Sequence, residues 1–254
     1  MKLNLFTYLL PIVLLFTACK KDTKTVPQPK YGTVNITFEN VVGNEPLTLN
    51  TKNYLTLNND TFKLTTLKYY ISNIKLIKND GSIFVEENSY HLINQAKPTS
   101  LNLTLTNVPQ GNYKAISYII GVDSAKCCSG AQTGDLDPAN GMFWDWDTGY
   151  IMASLIGTSP QSTGQNNAIV FQTVGFTGHN NVIKYANLNF NNTTANVNSE
   201  HSPTIYINCN ILEWFNLPNN IKFATTNFVA TPGTESKKIA DNYEDMFTIK
   251  TINN

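Results

Sequence analysis

The feature that most limits the fold of this chain is a period of two. Val34, Ile36 and Phe38 alternate with Thr33, Asn35, Thr37 and Glu39, a pattern that lines one face of a strand but scatters around a helix. Comparable runs recur at 47–57, 62–77, 83–92, 101–105, 113–120, 150–156, 168–174, 182–190 and 204–211. Turn formers such as Asn79-Asp80-Gly81 and Pro109-Gln110-Gly111-Asn112 separate them. Many short strands at this spacing predict an all-β fold, an antiparallel β-sandwich. At most one or two short helices are expected, at 210–216 and 236–247. In the second, Ile239, Ala240, Tyr243, Met246 and Phe247 recur at helical spacing. Polar positions carry Asn, Thr and Ser more than Lys and Glu, and charged residues make up 14% of the chain, against about 25% in an average soluble domain. With 18 basic and 18 acidic side chains the net charge is zero, so a nucleic-acid partner is not expected.

The first 18 residues read as an export signal: Lys2, an apolar run from Leu5 to Phe16, then Thr17 and Ala18 before Cys19. The run is shorter than the roughly 20 residues a membrane-spanning helix needs. Leu15-Phe16-Thr17-Ala18-Cys19 resembles a bacterial lipobox, with Phe16 an unusual occupant. Cys19 is therefore expected to become the lipidated first residue of an outer-membrane lipoprotein, facing the periplasm or the cell surface. Residues 19–30, with Pro27 and Pro29, read as a flexible tether. Residues 31–254 are expected to form one domain.

One long stretch, 121–149, does not read as sheet. It is rich in Gly and Asp and holds Trp144 and Trp146, and long irregular segments in compact domains are usually functional or mobile. The tryptophans either pack into the core or stand out as ligand-stacking or oxidisable groups. Asp135, Asp137, Asp145 and Asp147, with Asp123 upstream, concentrate oxygen ligands of the kind calcium takes, although the spacing is not that of an EF-hand. The alternative is that each aspartate caps a turn. Cys127, Cys128 and Cys209 are an odd set for an oxidising compartment, for which one disulfide and one free thiol is the simplest expectation. A Cu(I) site of thiolate with Met142 or Met152 is a further reading. The histidines His91, His179 and His201 are scattered, and no GxSxG motif is present, so no catalytic residue and no enzymatic activity are expected.

Four stretches together resemble the MbnP-like copper-binding domain, a family of exported bacterial proteins named for a methanobactin-associated member. They are Leu67-Lys68-Tyr69-Tyr70-Ile71-Ser72-Asn73-Ile74; Gly121-Val122-Asp123-Ser124; Ser129 to Pro138, reading SGAQTGDLDP; and Gly141 to Ile151, reading GMFWDWDTGYI. The resemblance implies a β-sandwich outside the inner membrane. It also implies copper held by histidines and an oxidised tryptophan, and a dihaem cytochrome-c-peroxidase-like partner that converts the tryptophan to kynurenine. Trp144 and Trp146 are the candidates for that residue. Gln172 stands where relatives tend to carry a histidine, which leaves His179 and His201 as the imidazoles the fold would have to bring in. A reading from another class is a surface glycan- or ligand-binding lipoprotein, with both indoles exposed. A purely structural role predicts both buried.

Overall fold

The computed structural model describes residues 30–130 and 132–254; the expected export signal, the Cys19 lipid site and the tether through residue 29 lie outside them. Strands are numbered along the chain. The smaller sheet runs β16 (Phe247–Asn253), β14 (Thr204–Asn210), β1 (Tyr31–Val42), with β2 (Glu45–Pro46) and β7 (Asn102–Pro109) on the far edge of β1. The larger runs β12 (Lys184–Asn189), β8 (Gly111–Ile120), β4 (Thr61–Lys78), β10 (Gly149–Thr158), β11 (Ala168–Val174), β15 (Phe228–Val229). Short strands extend it: β13 (Ala195–Val197) on β8, β9 (Phe143–Asp145) on β10, and β3 (Tyr54–Leu55), β5 (Ile83–Val85) and β6 (Tyr90–Asn94) on β4.

The sheets are held together by the apolar halves of their alternating strands. Val34, Ile36 and Phe38 of β1 are all buried, and the Phe38 ring meets Tyr69 and Tyr118 of the facing sheet edge-on at 6.4 and 6.1 Å. Each such side chain contributes about 1.5–3 kcal/mol by leaving water. One polar cluster crosses the core: the Tyr69 hydroxyl donates to Asn40 Oδ1 at 2.9 Å and lies 3.2 Å from Cys209 Sγ. The all-β sandwich expectation holds, but the sheets are mixed rather than antiparallel. β1 pairs with β14, and β11 with β15, in parallel. A period of two is blind to strand direction, which long crossover connections decide.

Several expected elements are shorter than their patterns. The run 47–57 curls around Tyr54, whose hydroxyl accepts from Thr48 N at 2.7 Å and donates to Pro46 O at 3.1 Å, so only Tyr54–Leu55 is strand. Asn88, at φ 51°, splits 83–92 into two strands. Residues 210–216 form a 3-10 turn, Ile211–Phe215, after the Asn210 side chain caps Leu212 N. Among the described residues the α-helices are α1 (Ser124–Cys127) and α2 (Thr234–Tyr243). Phe247 fits the helical spacing but opens β16, where its ring packs on Phe38, Tyr69 and Tyr118.

One feature of β4 positions the long loop. β10 pairs with residues 63–69 and β8 with residues 71–78, end to end along the same edge. The chain therefore leaves and rejoins the sheet at one break, opposite Tyr70, whose carbonyl accepts from Gly121 N at 2.9 Å.

Candidate functional site

Two groups from the sheet tie down the beginning of the loop. Asp123 caps α1 by accepting from Lys126 N at 3.1 Å, and its other oxygen accepts from the Asn73 amide at 3.0 Å and from the Tyr90 hydroxyl. Asn73 reaches it from an irregularity in β4, where its φ of 54° turns the backbone left-handed. Burial alone would raise the Asp123 pKa, but the donors from Tyr90, Asn73 and the backbone outweigh it and hold the carboxyl below its ordinary value.

Two tyrosines tie down the middle. Tyr70 OH donates to Asp135 O at 3.0 Å and Tyr150 OH to Leu136 O at 2.8 Å, while Leu92 N donates to Asp135 Oδ2 at 2.9 Å. Burial raises the Tyr70 phenol and pushes that of Tyr150 up to about 12. Asp137 caps the next turn through Ala139 N at 2.8 Å, and Lys68 Nζ donates to Asn140 O at 2.9 Å.

The loop closes on a small hairpin, β9 against the start of β10. Asp145 Oδ1 accepts from Asp147 N at 3.1 Å and Thr148 N at 2.6 Å, and these donors lower its pKa. Gly149 sits at φ 76°, and a Cβ there would lie 3.0 Å from Cys127 Cβ. Above this base both indoles stand out, Trp144 at 42% and Trp146 at 65% exposure, which removes the reading that both are buried. Trp146 meets Phe143 edge-on at 5.6 Å, Phe143 meets Tyr150 at 5.2 Å, and Tyr150 meets Tyr70 at 5.6 Å. A run of aromatic contacts thus leads from solvent to the loop's anchor in the core. The third tryptophan, Trp214, is buried and its indole N–H points at Met246 Sδ at 3.3 Å.

The remaining candidates separate. His179 lies exposed in the turn after β11, on the loop's side of the molecule, since Ser124 Oγ donates to Phe176 O at 3.0 Å. His201 belongs to the other end: β13, just before it, pairs with Gly111 at the start of β8, whereas the loop departs after Ile120. At about 3.3 Å per residue those ends are roughly 30 Å apart. Gln172 sits half-buried on β11 opposite Ser154.

The three described cysteines are free thiols, contrary to the disulfide expectation. Cys209 faces Tyr69 inside the sandwich, whereas Cys127 is buried under the loop against Gly149, its thiol pushed up to about 11 by burial; Cys128 is exposed. A thiolate ligand must first lose that proton. Met152 Sδ accepts from Val122 N at 3.1 Å in the core.

Among the described residues, no three His, Cys, Asp or Glu side chains gather as a metal site requires. Asp135, Asp137 and Asp145 are engaged by backbone N–H groups, so the calcium expectation gives way to turn capping, and the unmodified side chains do not fit a copper site either. Sequence reasoning did not single out Tyr70, Tyr90, Asn73 and Tyr150 as loop anchors. The signal was present in part, because Tyr70 and Asn73 belong to the YYISN stretch.

A family model described as MbnP matches residues 31–236. Among solved structures, the fold is similar to MbnP from Methylosinus trichosporium, with a TM-score of 0.51 and 11% identity, covering 81% of this chain and 83% of that one. No curated protein matches.

Proposed function

The chain belongs to the MbnP family, and from that premise we propose that it is an exported, lipid-anchored protein of copper handling in the bacterial envelope. In this reading its loop presents Trp144 and Trp146 to a dihaem peroxidase-like partner that oxidises one of them, and the protein has no catalytic activity of its own. The observation that carries it is the contrast within the loop. Both indoles are exposed, while the backbone beneath them is fastened by Tyr70, Tyr150 and Asp145. A side chain that must be reached by a large partner needs exposure and a fixed position together. Trp146 is the preferred target, because it is the more exposed and its ring is steadied by Phe143. Conversion to kynurenine would open the indole with loss of its C2, leaving a ketone oxygen and turning the indole N–H into an aniline nitrogen on the side of the molecule that carries His179, donors the unmodified chain lacks.

The test is the intact mass and metal content of the protein purified from its native host, with peptide mapping across 133–150. Kynurenine at Trp146 and bound copper, both lost in Trp146→Phe, is the expected result. Unmodified, metal-free protein would overturn it and favour the second reading, a surface ligand-binding protein, which the exposure of both indoles also suits.

A further inference from the structure

The outer face of the larger sheet carries a second feature, which shares Asn73 with the loop's anchor but does not include the tryptophans. Val85, Lys75, Ser117 and Asn187 lie in one row across β5, β4, β8 and β12. With Tyr185 and Asn73 they line an open depression of about 290 Å³, just below the roughly 300–1,000 Å³ of sites for drug-sized ligands.

Its polar groups have unused capacity. Among the described residues Lys75 enters no ion pair, and the Asn187 amide and the Ser117 and Tyr185 hydroxyls make no hydrogen bond with another side chain. Asn73 gives its N–H to Asp123 and keeps its amide oxygen free. The Tyr185 ring, 60% exposed, packs on no other aromatic ring among the described residues. The bulge at Asn73, where pairing shifts register between Ser72 and Lys75, interrupts the regular sheet surface at this point.

We propose that this depression binds a carboxylated saccharide, a uronic-acid unit of an oligosaccharide chain. The Tyr185 face would stack on the C–H face of the sugar ring, Asn73, Ser117 and Asn187 would meet its hydroxyls, and Lys75 would pair with its carboxylate. One cation facing solvent among uncharged polar groups is complementary to one negative charge per ring. An apolar peptide would leave these polar groups unpaired at a cost.

Calorimetric titration of the full-chain protein with trigalacturonate and with maltotriose tests the assignment. Trigalacturonate should bind in preference, Tyr185→Ala should weaken it about tenfold, the equivalent of one aromatic contact, and Tyr185→Phe should restore it. Lys75→Gln should remove the preference over maltotriose, and Trp144→Phe with Trp146→Phe should leave binding intact. Equal binding of the two sugars overturns the carboxylate assignment. Absence of binding, persistence in Tyr185→Ala, or loss with the tryptophans overturns the site. Self-association abolished by Tyr185→Ala would assign the surface to a second copy instead.

Discussion

The Tyr70 hydroxyl donates to the backbone carbonyl of Asp135 at 3.0 Å. One buried residue of the central strand thus holds a turn 65 positions further along the chain, and the Tyr150 hydroxyl repeats the device at Leu136.

Removing either hydroxyl should loosen the loop before it destabilises the sandwich. Tyr70→Phe or Tyr150→Phe is expected to cost about 1 kcal/mol, the net value of one hydrogen bond, read from the denaturant midpoint. Amide exchange within 133–140 should accelerate more than exchange in β4. Uniform acceleration across both would show that the loop is not a separate unit.

Glycines in the loop should differ by what their missing Cβ would meet. Gly149→Ala combines a positive φ with contacts at 3.0–3.2 Å to Cys127 and Phe176, and is expected to cost about 2–3 kcal/mol. Gly141→Ala, at φ 69° with open space around it, should cost about 1 kcal/mol. Thermal unfolding of the two variants gives the ranking directly.

Alkylation resolved by peptide mapping should label Cys128 rapidly in the folded protein and protect Cys127 and Cys209, all three reacting after unfolding. A disulfide would leave two unreactive even then. The Cys127 thiol is raised by burial to about 11, so its contribution to stability is complete below the unfolded value of about 8.5 and is lost as pH rises from there toward 11.

Acid should act on the start of the loop. The Asp123 carboxyl is held below its ordinary value, so the stability it contributes is present above about pH 4, the unfolded carboxylate value, and is lost as pH falls through the lower folded one. Limited proteolysis near residues 124–132 should increase in that window. Asp123→Asn should show the increase already at neutral pH, with a weaker dependence on acid.

Iodide quenching of fluorescence should reach two of the three tryptophans, because Trp144 and Trp146 are exposed and Trp214 is buried. In Trp144→Phe with Trp146→Phe, the remaining emission should be unquenched. Residual quenching would contradict the burial of Trp214.

The sequence alone determined the sandwich, because alternation such as Val34-Asn35-Ile36-Thr37-Phe38 is a local property: each side chain's face follows from its neighbour's. It also marked the 121–149 loop and its tryptophans through composition, but it left the loop's aspartates open between cation binding and turn capping. Tertiary structure decided what depends on residues distant in sequence. The parallel pairing of β1 with β14 rests on a crossover that no local pattern encodes. Phe247 went to strand because three core rings outweighed its helical spacing. His201 was carried away from the tryptophans and Tyr70 was brought beneath them, since the length and edge-to-edge order of β4, β8 and β10 set those distances, and side-chain identity does not.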